Sequence, residues 1–150
     1  MPQSLSKVYV HIIFSTKLRK PFITKDIQNE LYSYIAGTLI NLKSDVLKIN
    51  GIKDHIHILC TLPRTITIAK ILEEMKKSSS KWIKTNGTKW SGFAWQDGYG
   101  TFSVSSSLIN NVIKYIENQE EHHKKVSFQD EFREFLKKYN IDYDERYLWD

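Results

Sequence analysis

Hydrophobic positions divide the first part of the chain into strand-like and helix-like stretches. Val8–Phe14 is almost continuously apolar and rich in β-branched and aromatic residues, which is typical of a central strand. The apolar positions after Thr24 recur at helical spacing, and Thr24 is predicted to cap that helix. Val46–Ile49 and His55–Leu59 are strand-like runs on either side of Asn50-Gly51, which predicts a β-hairpin with its turn at that dipeptide.

The rest of the chain predicts one more strand region and three helices. These elements are a helix after a cap at Thr67, extended segments at Phe93–Trp95 and Tyr99–Val104, a third helix from Leu108 to about Lys124, and a fourth from Ser127 through Leu136. The predicted order is therefore β-α-β-β-α-β-α-α. Because no β-α-β unit repeats, we expect a single α+β domain over residues 1–150, an antiparallel sheet with helices packed on one face.

Charge and composition narrow the class of protein. The net charge is +5, but residues 1–90 hold 15 Lys and Arg against 6 Asp and Glu, whereas residues 91–150 hold 7 against 11. A basic first part is typical of proteins that bind polyanions such as nucleic acid, although a solvated lysine-rich surface has the same composition. No apolar run approaches the ~20 residues of a membrane helix. Cys60 is the only cysteine, so we expect a cytoplasmic protein without disulfides.

The triplet His55-Ile56-His57 carries the first candidate chemistry. Side chains of a strand alternate between faces, so both imidazoles are predicted to project to one side, where they could hold one cation. Two histidines on a solvated strand face remain the alternative. A histidine-triad hydrolase would need a third histidine at the position of Leu59, and a cupin would need further ligands on other strands rather than on a helix.

The predicted third helix carries a second candidate group. Tyr115 and Gln119 are four residues apart and therefore share a helix face. A tyrosine hydroxyl beside a metal can attack a phosphate while the cation polarises a phosphate oxygen. A helical tyrosine that only packs in the core is the alternative.

The combination and order of these motifs resemble those of the single-tyrosine HUH transposases of the insertion-sequence 200/605 family. In those proteins a strand with histidine-hydrophobic-histidine precedes a helix with Tyr-x-x-x-Gln. The resemblance extends over almost the whole chain, through the segments His11–Lys17, Asp54–Leu59, Phe93–Gly100, Phe102–Ser105, Tyr115–His123 and Asp144–Trp149.

The resemblance implies a ferredoxin-like, RRM-like sheet and a DNA transposase. Tyr115 would form a 5′-phosphotyrosine link with single-stranded DNA that carries hairpin ends, while His55, His57 and Gln119 would hold Mg²⁺ or Mn²⁺. The family also implies a homodimer, in which the tyrosine helix of one subunit can complete the site of the other. A domesticated repeat-associated relative, an HUH nickase and a non-catalytic RRM-like nucleic-acid-binding module remain alternatives.

Basic and aromatic residues supply candidate DNA contacts. The candidates are Lys17, Arg19, Lys20, Lys70, Lys77 and Lys81 for phosphates, and Trp95 and Tyr99 for stacking on unpaired bases. The sequence does not determine the roles of three further histidines. His11 could face either the site or the core. His122 and His123, at the end of the third helix, are expected to be solvated, although His123 follows Gln119 by one turn.

Overall fold

Four antiparallel strands form the sheet of this computed structural model, which describes residues 2–150. The strands are β1 (Tyr9–Ser15), β2 (Val46–Ile52), β3 (His55–Thr61) and β4 (Gly100–Val104), in the spatial order β2-β3-β1-β4. The helices are α1 (Lys25–Asn41), α2 (Ile68–Lys84), α3 (Ile109–Glu117), α4 (Gln119–His122) and α5 (Phe128–Lys138). The α+β class and the antiparallel sheet are thereby confirmed. Within residues 2–150 no helix combines the length and the apolar character needed to cross a bilayer.

The two faces of the sheet carry different side chains. One face is apolar, and residues such as Ile12 and Ile58 pack there with the buried sides of α1 and α2. The opposite face carries the histidines of β3 together with Ile13, against which Phe132 of α5 packs. The expectation of helices on one face therefore holds for α1 and α2 only. The chain after β4 folds back over the histidine face because α5 has an apolar stripe of its own to bury.

The hairpin between β2 and β3 turns three residues later than predicted. The turn lies at Lys53-Asp54, while Asn50-Gly51 belongs to β2. A Cβ atom on residue 51 would clash with the carbonyl oxygen of His55, so glycine allows the two strands to approach closely. The glycine therefore marks a close backbone approach rather than a turn.

The predicted third helix is divided at Asn118 into α3 and α4. The side-chain amide of Asn50 in β2 donates to the carbonyl oxygens of Ile116 (2.9 Å) and Glu117 (3.3 Å). These last carbonyl groups of α3 are thus bonded to the sheet, and the regular helix ends there. The break leaves Tyr115 on the last turn of α3 and Gln119 at the start of α4.

One of the two predicted helix caps is confirmed, and Ser127, predicted only as the start of a helix, is a cap as well. The Thr67 hydroxyl accepts from the amide of Lys70, and the Ser127 hydroxyl accepts from the amide of Asp130. Thr24 does precede α1, but its hydroxyl donates to the Asp26 carboxylate and caps no amide. Ser127 matters most for function, because it starts the helix that covers the histidine face.

Candidate active site

The two histidines of β3 lie side by side on the face that α3, α4 and α5 cover. Both side chains are fully buried, and both direct Nε2 toward the covering helices. Their outer nitrogens are also bonded: Nδ1 of His55 pairs with the carboxylate of Asp54, and Nδ1 of His57 pairs with Nε2 of His11, each at 2.8 Å. This fixes the orientation of both rings, and the prediction that they share one face is confirmed.

The covering helices bring three more polar side chains to the same place. Gln119 Oε1 lies 3.2 Å from Nε2 of His55 and 2.9 Å from Nε2 of His123. Glu131 Oε1 lies 2.9 Å from Nε2 of His57, 3.2 Å from Nε2 of His123 and 3.4 Å from Nε2 of His55. We call His55, His57, His123 and Glu131 the histidine–glutamate cluster.

The donor set of this cluster fits a divalent metal ion. One ligand atom from each residue can be chosen so that all four lie within 4.8 Å of one another. Each histidine directs Nε2 inward and occupies Nδ1 elsewhere, in the case of His123 with the carbonyl oxygen of Val126 at 2.7 Å. An imidazole held by its second nitrogen in this way is the usual state of a metal-binding histidine. Three imidazole nitrogens favour Mn²⁺ and later transition metals over Mg²⁺, which prefers oxygen ligands.

Tyr115 lies beside this cluster within the same chain. Its ring centroid is 5.7 Å from that of His57. Its hydroxyl donates to Oε2 of Glu131 and lies 3.5 Å from Nε2 of His122. The same Oε2 also accepts from the side-chain amide of Gln119 at 3.2 Å. The nucleophile predicted from the sequence and the predicted metal ligands are thus brought together.

Burial and close charges shift the pKa values of the site. Burial lowers the pKa of His57 to about 4, so this imidazole is neutral at pH 7. Burial also acts to lower the pKa of His55, but hydrogen bonds with Asp54 and Glu131 outweigh it and raise that pKa to about 9. Burial and the Glu131 charge raise the pKa of Tyr115. The hydroxyl is therefore protonated at neutral pH and must lose its proton during any attack on a phosphate.

An open cleft leads to the tyrosine hydroxyl. The cleft has a volume of about 660 Å³, and Tyr115 and Glu131 lie along it. Its walls are mainly apolar and come from the end of β4, α3 and α5, through Val104, Leu108, Val112, Phe135 and Tyr139. A wall of this kind suits the flat, apolar faces of unpaired bases, while the polar groups stay at the tyrosine.

The candidate DNA contacts lie apart from one another. Lys17, Arg19 and Lys20 follow the end of β1, where Ser15 pairs with His55. Lys70, Lys77 and Lys81 are exposed on α2, on the layer across the sheet from Tyr115.

The two aromatic candidates differ in exposure. Trp95 is buried and bonded through Nε1 to the Ser79 hydroxyl at 3.0 Å. It is a core residue, so the expectation that it stacks on a base is corrected. Tyr99 is 38% exposed, with the ammonium of Lys76 5.5 Å from its ring centroid, and its contact with a base stays a prediction.

Sequence reasoning missed Glu131 and placed His123 in solvent. The side chain of His123 is in fact only 4% exposed, because the turn after α4 directs it at the cluster. Glu131 follows Phe128 by three residues and precedes Phe135 by four, so it lies on the apolar stripe of α5. A charged residue on such a stripe was the available signal, since a buried carboxylate requires partners.

Replacing His11 with leucine is expected to weaken metal binding without removing a ligand. His11 is buried and holds Nδ1 of His57 at 2.8 Å, so its loss frees the ring of His57 to rotate. Loss of such outer partners lowers metal affinity about 10–100-fold. Calorimetric titration with Mn²⁺ measures the effect, and Tyr139→Phe serves as the control because Tyr139 lines the same cleft as His11 but its hydroxyl donates to the carbonyl oxygen of Ser103. Equal affinities for His11→Leu and the unmodified protein would show that His11 does not orient His57.

Comparisons with known proteins concern the family and the fold of the chain. The family model described as "Transposase IS200 like" matches residues 4–119. A crystal structure of a candidate transposase from Deinococcus radiodurans R1 superimposes with a TM-score of 0.62 at 20% identity, covering 79% of this chain and 98% of that one. A REP-associated tyrosine transposase bound to a REP hairpin gives a TM-score of 0.61 at 14% identity, covering 84% of this chain and 74% of that one. The structural likenesses concern the fold. No curated protein gives a significant match.

Proposed function

Because the chain belongs to the IS200-like transposase family, we propose that it cleaves and rejoins single-stranded DNA at the ends of an insertion sequence with Tyr115 as the nucleophile. The observation that carries this proposal is the contact of the Tyr115 hydroxyl with a buried cluster of metal-ligand type. A packing tyrosine would have no need of such a neighbour. A cytoplasmic location, expected from the sequence, is part of the proposal.

In the proposed reaction the hydroxyl oxygen of Tyr115 attacks the phosphorus of a phosphodiester. The new bond joins this oxygen to the phosphate on the 5′ side of the downstream strand, and the bond to the upstream 3′ oxygen breaks. The tyrosine proton passes to Nε2 of His122, which lies 3.5 Å from the hydroxyl, and the departing 3′ oxygen takes this proton from the imidazole to become a hydroxyl. The phosphotyrosine ester conserves the energy of the broken phosphodiester bond, so a new 3′ hydroxyl can rejoin the DNA without ATP.

His55, His57 and Gln119 would hold Mg²⁺ or Mn²⁺ in this proposal. A divalent cation bound there would polarise a phosphate oxygen and offset the negative charge that develops during attack. The protein's own part is to hold the imidazoles of β3 in place, through Asp54 and His11, and to keep the hydroxyl of Tyr115 at the edge of the cleft.

Single-stranded DNA with a hairpin is the proposed substrate. The cleft beside Tyr115 has apolar walls on which unpaired bases can stack, and a tyrosine transposase of the same fold is bound to a REP hairpin. Both a mobile element and a domesticated, repeat-associated role are compatible with this chemistry. An HUH nickase would use it as well, whereas a non-catalytic RRM-like module would not require Tyr115 beside the cluster.

A labelled oligonucleotide tests the proposal. With element-end hairpin DNA and Mn²⁺, a 3′-labelled strand should move to the protein band on a denaturing gel. The 5′-labelled fragment should run free and be extended by a polymerase, because it ends in a 3′ hydroxyl. Fully duplex DNA of the same sequence is the control and should react poorly. Absence of adduct with every element-end strand, or equal reaction of the duplex, would contradict the proposal.

A homodimer is also part of the proposal, since excision needs two strand cuts and each chain has one tyrosine of this kind. In the described conformation Tyr115 already contacts the cluster of its own chain, so we expect each subunit to hold a complete site. Heterodimers of Tyr115→Phe and His57→Ala chains are then expected to remain inactive in adduct gels. Recovered activity would show that the tyrosine acts on its partner's histidines. A light-scattering mass of one chain would exclude the dimer.

A further inference from the structure

Glu131 on α5 is the only carboxylate in the histidine–glutamate cluster, and it lies outside the region that the family model matches. Its side chain is only 2% exposed. An ionised carboxylate in such a position costs several kcal/mol unless charges or hydrogen bonds compensate. Neighbouring side chains supply these compensating contacts, and they form two separate groups, one at each oxygen of the carboxylate.

The first oxygen faces the histidines. Oε1 of Glu131 lies 2.9–3.4 Å from the Nε2 atoms of His57, His123 and His55. Four donors about 2.0–2.1 Å from one central ion, arranged as a tetrahedron, are roughly 3.3 Å from one another. The separations between Oε1 and the three nitrogens therefore match those between ligands of a single ion.

The second oxygen faces the nucleophile. Oε2 of Glu131 accepts from the Tyr115 hydroxyl and from the Gln119 amide, and Nε2 of His122 lies 3.2 Å from it. The carboxylate thus extends from the metal-ligand atoms to the reacting hydroxyl.

We infer that Glu131 bridges the two parts of the site: Oε1 is a metal ligand beside His55, His57 and His123, and Oε2 positions the Tyr115 hydroxyl. This inference rests on the proposed function for the identity of the nucleophile, but its metal-binding part does not. Because one carboxylate would contact both groups, the position of the ion would determine the direction of the Tyr115 hydroxyl. It also brings a negative charge to the site, which strengthens the binding of a divalent cation.

Titration with Co²⁺ tests the ligand role without DNA. Glu131→Gln is expected to lower Co²⁺ affinity at least about tenfold and to alter the visible ligand-field bands, because a neutral amide is a poorer ligand than a carboxylate. Glu134→Gln is the matched control, since Glu134 lies on the same helix and the same cleft but is exposed. Circular dichroism verifies that each variant is folded. A folded Glu131→Gln protein with unchanged affinity and spectrum would overturn the inference.

A second measurement on the unmodified protein tests the bridge. With ring-labelled tyrosine, the NMR signal that disappears in Tyr115→Phe belongs to Tyr115. Addition of Zn²⁺ should shift that signal in the unmodified protein and in Glu134→Gln, but not in Glu131→Gln. A purely structural carboxylate would leave the tyrosine signal insensitive to the ion, and that result would also overturn the inference. If both measurements succeed while no DNA adduct forms, only the proposed function fails.

Discussion

Replacing Tyr115 with phenylalanine is expected to abolish covalent capture of DNA while leaving DNA binding nearly unchanged. The substitution removes only the hydroxyl, and the carboxylate of Glu131 keeps its contacts with Gln119 and with the histidines. We therefore expect a loss of unfolding free energy of no more than about 3 kcal/mol, the upper end of the usual contribution of a hydrogen bond to a charged group. Loss of a nucleophile lowers the rate by at least about 10⁴-fold, which places adduct below detection.

Denaturing gels measure the adduct, and fluorescence anisotropy with the same oligonucleotide measures binding. Tyr139→Phe is the matched control, because Tyr139 lines the same cleft but its hydroxyl donates to the carbonyl oxygen of Ser103. This control should form adduct at close to the normal rate. Adduct in the Tyr115→Phe protein would identify a different nucleophile.

Replacing His57 with alanine is expected to remove both metal binding and DNA cleavage. His57 is fully buried, directs Nε2 at the cluster and is neutral at pH 7, because burial lowers its pKa to about 4. A neutral imidazole binds a cation without first losing a proton. We expect Mn²⁺ affinity to fall by about 100-fold or more, beyond the effect of losing an outer partner.

Removal of the metal by a chelator provides a second measure of how DNA cleavage depends on the metal site. EDTA should stop adduct formation by the unmodified protein, and added Mn²⁺ should restore it, whereas the His57→Ala protein should remain inactive at the same Mn²⁺ concentration. The His57→Asn variant is the second test, because asparagine is closer in size to histidine than alanine is. It distinguishes the effect of losing the metal ligand from the effect of opening a cavity in the core. Tyr139→Phe should bind Mn²⁺ normally, because the Tyr139 hydroxyl contacts the carbonyl oxygen of Ser103 and not the cluster. Undiminished cleavage by protein that has been incubated with EDTA until metal analysis finds no bound ion would exclude the metal from the reaction.

The parts of this fold with a strong local pattern were predictable from the sequence. The alternation of β3 determines the shared face of His55 and His57, and it can be read directly. The position of the β2–β3 turn could not be read, because Asn50 has a tertiary partner. Its amide bonds the end of α3, and nothing in the local sequence indicates that helix as a neighbour.

The candidate site was predictable only where its residues belong to a recognisable motif. Tyr115 and Gln119 were found by their spacing, but that spacing assumes one continuous helix, and the break at Asn118 places them on two. Glu131 enters the site through long-range packing of α5 on the sheet. Hydrophobic periodicity predicts that α5 has a buried side, yet it does not indicate what that side covers.

The complete burial of His55 and His57 has a consequence for how quickly an ion could exchange with the solvent. Both ligands of β3 lie beneath α4 and α5 and do not line the open cleft, so an ion held by them reaches the solvent only past the side chains of Glu131 and Tyr115, and movement of the covering helices would widen that path. The exchange rate would then be governed by this opening motion and would differ from the rate expected for a surface site of equal affinity. Release of a bound ion to excess chelator, followed over time, would in this way report how often the covering helices open.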